Sequence, residues 1–211
     1  MSVLDNVTML GEAGTSRVAD GVSAKLRLGK DRELITGMAH SLYAEASARG
    51  NLYMANAIVT APVIWTTEAG TGGPLLWNGS TTKKASILAV GWGISVVSTV
   101  AAAIGLTGGS GQPAAPTTAT AIDSSANLLI GGAASACTPY RVGTTVANQF
   151  FLPLGSVSTG ALTVTIGDMN WVRLDGLITV PPSCFVSVAA SATATTLVAN
   201  FGIIWEELDV G

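Results

Sequence analysis

Asp168 and Asp175 are the first residues to weigh for chemistry, because two carboxylates facing one gap can divide the work of general acid and base. Asp175 falls within Trp171–Thr179, which reads as a single strand, and Asp168 lies just before it. Each aspartate therefore sits near an end or a kink, where turn chemistry accounts for it. Glu206, Glu207 and Asp209 crowd the end of the sequence and could together hold a cation, but the expectation is an acidic, solvated chain end. Gly108-Gly109-Ser110-Gly111 is rich in glycine without the lysine and following helix that a phosphate cradle needs. Cys137 and Cys184 are the two cysteines and belong to no C-x-x-C or Cys/His cluster, so they read as buried thiols and not as a zinc or redox motif. His40 is the one histidine and reads as a partly exposed residue of a helix. No nucleophile stands with a base and no ligand cluster has metal spacing. Catalytic residues, a metal and a cofactor are therefore not expected.

Tryptophan supplies the other candidate chemistry, since an exposed indole can stack on a sugar ring. Of the five, Trp65, Trp77 and Trp205 are in phase with apolar faces and are expected in cores, whereas Trp171 is out of phase with Val172 and Leu174 and is the candidate for exposure.

The elements that must position these residues are strands. Period-two alternation puts Val172, Leu174, Ile178 and Val180 on one face, and Leu197, Ala199, Phe201, Ile203 and Trp205 on one face of the last strand, with Phe185–Ala189 between them. Further strands are predicted over 57–66, around Leu75 and Trp77, over 86–98 with Leu88, Val90, Trp92, Ile94 and Val96 in phase, over 100–106, over 127–130, within 140–154, and at Leu162, Val164 and Ile166. Residues 85–109 would pass a hydropathy window as a membrane helix, but their glycines, serines and alternation favour a buried strand, and no membrane contact is expected. Residues 107–125 read as a long Gly/Pro/Ser/Thr loop, either a plain surface loop or one that touches a partner. The count is about eight strand candidates with no helix between them, which excludes a parallel α/β fold. The predicted fold is mainly β, an antiparallel jelly-roll β-sandwich, with an extended and partly helical N-terminal arm.

Composition sets the boundary of that arm. The chain has 211 residues, 48% of them hydrophobic and 11% charged, enough for a well-buried domain. Six of its ten basic residues, Arg17, Lys25, Arg27, Lys30, Arg32 and Arg49, lie in the first 49 positions. An arm over 1–50 and a β domain over 51–211 follow from that shift. Within the arm, Leu34, Met38 and Leu42 recur at helical spacing from Asp31, with a kink near Gly37 and a glycine stop at Gly50. A formal net charge of −3 argues against a nucleic-acid partner, because neutralising phosphates takes a basic face. The excess of small apolar residues over charge suggests contacts between copies. MSVLDNVTML lacks the pattern of a signal peptide, so synthesis and folding in a reducing cytoplasm are expected.

Three stretches, PLLWNGSTTKKASILAVGWGIS, GLITVPPSCFVSVAAS and LVANFGIIWEELDV, together with the small-residue loops, resemble the jelly-roll virion proteins of tailed bacteriophages over about residues 57–208. The resemblance implies a sandwich that packs as a trimer, completed by a proline-led strand and a last strand ending in Trp-Glu. It also implies a capsid decoration, or cement, protein on the phage head, made in the host cytoplasm and bound to the major capsid protein. The arm would reach neighbouring subunits through Arg17, Lys25, Arg27, Lys30 and Arg32. The alternative is a host-recognition or carbohydrate-binding jelly-roll module of the tail or baseplate.

Overall fold

Alternating burial in the strands builds two stacked sheets. The computed structural model describes residues 43–60, 74–96, 100–122, 124–157, 169–192 and 197–210. The chain divides into compact units at Ala44/Glu45, and nearly all described residues belong to the second. The short helix α1 (Ala44–Ala48) ends where Gly50 takes a φ of +74°, with the Gly50 amide donating to Ser47 O and the Asn51 amide to Ala46 O. That pair of bonds is the Schellman stop that glycine allows. The helix predicted from Asp31 otherwise lies outside the described residues.

Eleven strands follow among the described residues: β1 (Leu52–Thr60), β2 (Leu75–Asn78), β3 (Lys83–Val96), β4 (Ala102–Ser110), β5 (Thr117–Ala121), β6 (Ser124–Asn127), β7 (Thr138–Thr144), β8 (Phe150–Val157), β9 (Met169–Val180), β10 (Cys184–Ala190) and β11 (Val198–Asp209). One sheet has the order β6-β1-β11-β3-β9 and the other β5-β7-β2-β10-β4-β8, with antiparallel pairing throughout. The protein is a mainly β, two-sheet antiparallel sandwich.

The core between the sheets takes every second residue of the inner strands. Ala55, Ala57 and Val59 of β1 meet Ala199, Phe201, Ile203 and Trp205 of β11, and Leu76, Ile104, Leu106, Val186 and Val188 close the layer from the other sheet. Val172, Leu174 and Ile178 pack against its margin, in the predicted phase. Each fully buried valine, leucine, isoleucine or phenylalanine of this core stabilises the fold by about 1.5–3 kcal/mol.

Several expectations are corrected. The alternation predicted from Leu88 to Val96 breaks at a bulge, where the β3–β9 register shifts between Ile87 and Ala89. Ile87 and Ala85 therefore join the core, while Val96 is exposed. Leu76, and not Leu75 with Trp77, faces the inter-sheet core. Trp77 lies half-buried on the opposite face, over Gly79, with its Nε1 donating to Gln112 O at 2.9 Å. The loop predicted over 107–125 is largely strand: β4 runs to Ser110, and β5 and β6 follow. Its glycines mislead because they serve close approach, a Cβ on Gly108 falling 2.6 Å from Phe185 O and one on Gly109 2.7 Å from Ala147 O. The strand expected over 57–66 begins instead at Leu52, and that over 127–130 is a turn beyond Asn127. The strand predicted at Leu162–Ile166 lies outside the described residues, as do Ala61, Val63 and Trp65. Residues 85–109 supply parts of β3 and β4, and no helix among the described residues is long and apolar enough to cross a membrane.

Candidate functional site

The last strand carries the densest polar arrangement in the described chain. Period two puts Trp205 and Glu207 on the same inward face of β11, and the strand continues four residues beyond Trp205. Glu207 is consequently buried, 3% exposed, which corrects the solvated acidic end expected from sequence. A buried carboxylate is costly unless its lone pairs are filled. Here Ser135 Oγ donates to Oε1, the Cys137 amide donates to Oε1 at 3.1 Å, and the Ala136 amide donates to Oε2 at 3.1 Å. Trp205 Nε1 adds a longer bond of 3.4 Å to Oε1. Apart from the indole, the donors come from the connection between β6 and β7, some seventy residues earlier, so the carboxylate fastens that connection to the end of β11.

Aromatic and charged neighbours complete the cluster. Tyr53 of β1 stacks on Trp205 with ring centroids 5.8 Å apart, and burial together with the Glu207 charge pushes its hydroxyl pKa upward. Lys83 pairs with Asp209 at 2.8 Å, and that hydrogen bond raises its pKa. Glu206 points to the other face, where burial raises its carboxyl against the opposing pull of Arg49.

A serine, a cysteine and a carboxylate in contact invite comparison with a nucleophilic site. The protonation chemistry runs the other way. Burial first, then the Glu207 charge, pushes the Cys137 thiol up to about 12, and the side chain is only 1% exposed. A protonated, covered thiol is a poor nucleophile. We predict that Cys137 does not react with a disulfide reagent at pH 8 until the protein unfolds, whereas Cys184, half-buried, reacts slowly in the native state. Because the folded value lies above the unfolded one, this thiol's stabilising contribution is complete below its ordinary value of 9.0 and is lost as pH rises toward 12. Thermal melts between pH 8 and 12 measure that decline, and rapid native labelling of Cys137 would contradict the reading.

Trp171 is the second feature. It is 43% exposed on the outer face of the first sheet, as its phase predicted, and its indole lies across two glycines. A Cβ on Gly91 would stand 2.6 Å from the ring, and one on Gly202 2.9 Å. The register sets Trp171 beside Gly91 and Gly91 beside Gly202, so the platform spans three strands. Of the paired aspartates, Asp175 bonds Arg173 at 3.1 Å at a φ of +47°, a kink as expected, while Asp168 lies outside the described residues. Arg17, Lys25, Arg27, Lys30, Arg32 and His40 also lie outside them. Among the described residues no group of three or more His, Cys, Asp or Glu is placed to hold a metal ion.

Sequence reasoning missed Glu207 as a structural carboxylate. Its sole local signal was position: Glu207 continues the inward phase of Ile203 and Trp205. Comparison with protein-family models, with curated proteins and with solved structures found no match.

Proposed function

We propose that this chain is a structural, non-enzymatic jelly-roll protein of a tailed-phage virion, a decoration protein that strengthens the head as an oligomer with reaching N-terminal arms. The observation that carries the reading is how the strands pair. Set aside β5, β6 and β7, which lie between β4 and β8, and eight strands remain. The first pairs with the last (β1 with β11), the second with the seventh (β2 with β10), the third with the sixth (β3 with β9) and the fourth with the fifth (β4 with β8). One long hairpin rolled into two sheets would give that pairing, as a jelly roll does, and this supports the reading. The plan recurs in viral coats, and it agrees with the sequence resemblance.

The mechanism proposed is tethering. One arm binding a capsid surface through Arg17, Lys25, Arg27, Lys30 and Arg32 would bind weakly, whereas arms joined in a trimer bind with high effective concentration. Deleting residues 1–30 is expected to lower uptake by heads lacking the protein by at least about tenfold. Immunogold labelling of tailed-phage particles tests the placement: label on heads supports the proposal, and unlabelled particles or equal uptake of the truncated chain would sink it.

A second reading rests on Trp171. An exposed indole braced flat on a sheet can stack on a sugar, as a tail or baseplate recognition module would require. Gold on tails, with tryptophan fluorescence that responds to host surface glycans, favours that reading.

A further inference from the structure

Of the eight asparagines in the chain, Asn78 alone precedes a glycine. An asparagine in that position is open to attack by its own backbone, because glycine puts no side chain beside the attacking nitrogen. The Gly79 nitrogen, giving up its proton to hydroxide, bonds to Cγ of Asn78. The Cγ–Nδ2 bond then breaks, Nδ2 takes a proton from water and leaves as ammonia, and a cyclic imide remains. Water opens the imide at either carbonyl, giving aspartate or, with the main chain rerouted through the side-chain carbons, isoaspartate. Water is the only co-reactant, and no oxidation state changes.

In the folded chain the groups that must react are held. Asn78 ends β2 and is fully buried. Its Nδ2 donates to Lys83 O at 2.8 Å and to Val180 O at 2.9 Å, and its Oδ1 accepts from the Ser80 amide at 3.0 Å. Both hydrogens of the leaving group thus point at fixed carbonyls, one at the start of β3 and one at the end of β9, so this side chain joins the second sheet to the first. The turn that carries the attacking nitrogen is fixed as well. Ser80 Oγ accepts from the Thr82 and Lys83 amides at 3.2 and 3.0 Å, and a Cβ on Gly79 would stand 2.3 Å from the Trp77 ring, so the Gly79 backbone rests on the indole. Expelling Nδ2 breaks both of its bonds at once, in a place that water does not reach.

The product cannot take the reactant's place. Aspartate at 78 would set a carboxylate oxygen against the Lys83 and Val180 carbonyls, acceptor against acceptor, with no donor to replace the lost N–H groups and no exposure to water. Isoaspartate would also lengthen the main chain at the end of β2, disturbing the register of Asn78 with Cys184 and the bond from the Ser183 amide to Asn78 O. We propose that Asn78 is a deamidation site closed by folding: native chains keep the amide, unfolded chains lose it, and a chain that has lost it does not refold. Unfolded molecules are thereby retired chemically, and loss of the protein becomes a rate set by the time it spends unfolded.

The test uses the full-length chain, held native or in guanidinium chloride at the same mildly alkaline pH and mapped by peptide mass at intervals. Reaction through open molecules scales with their fraction, about 10⁻³ or less for a folded protein, so deamidation of Asn78 in the native chain is expected to be at least about a hundredfold slower than in the unfolded one, local opening of the turn included. A smaller ratio would overturn the closure by folding. After dilution from denaturant, the refolded fraction is expected to retain the amide at 78, and the fraction that stays unfolded to hold the aspartate and isoaspartate. Asn78→Asp, made directly, is expected either not to fold or to melt at least about 5 °C below the unaltered chain. Refolded molecules that carry aspartate or isoaspartate at 78 in proportion to its formation, or an Asn78→Asp chain that melts with the unaltered one, would overturn the block on refolding.

Discussion

Trp205→Ala is expected to cost about 3–5 kcal/mol of folding stability, the range for emptying a large aromatic site in a packed core. Trp205 is the largest fully buried side chain among the described residues, on β11, the strand that pairs with both β1 and β3. Its loss removes the stacking partner of Tyr53 and one of the donors to Glu207. Collapse of neighbours into the gap is limited, because the ring is held between two paired strands of its own sheet. Denaturant unfolding gives the value directly, through a lower midpoint at unchanged slope. A loss under about 1 kcal/mol would be that of a surface site and would contradict the packing described here.

Glu207→Ala is expected to destabilise by about 2–4 kcal/mol, since each buried donor left without a partner costs about 1–3 kcal/mol and part of that returns if water enters. The Ala136 amide is orphaned, while the Ser135 hydroxyl loses a charged acceptor and keeps only Cys137 O, and the Cys137 amide keeps only Ser135 Oγ at 3.0 Å. Glu207→Gln separates charge and acceptor capacity from size: the amide keeps the volume but turns an N–H2 toward donors, so most of the loss should persist. Hydrogen exchange adds a local readout, with the Ala136 and Cys137 amides losing protection before those of β3. A double-mutant cycle with Ser135→Ala should show coupling of at least about 0.5 kcal/mol, as for groups in one network. Additive effects, with unchanged exchange at 136–137, would mean that the carboxylate does not fasten the connection.

What the amino-acid sequence determined by itself was the period and therefore the faces. Valine, isoleucine and aromatic residues at every second position of 171–180 and 197–205 can be buried together only on one side of a strand, so the core positions of Phe201, Ile203 and Trp205 and the outward position of Trp171 were legible at once. The stop at Gly50 was legible for an equally local reason, the left-handed conformation that glycine tolerates. Tertiary structure decided whatever depended on a neighbour distant along the chain. Gly108 and Gly109 read as loop because composition records the absence of a side chain but not the Phe185 and Ala147 carbonyls that require it. The alternation through Leu88 could not reveal its own break, since a bulge is defined against the partner strand. Glu207 looked like a solvated end because charge near a terminus ordinarily is. It is buried because the β6–β7 connection brings a hydroxyl and two amides to it, and no local pattern at either end of that contact encodes the other.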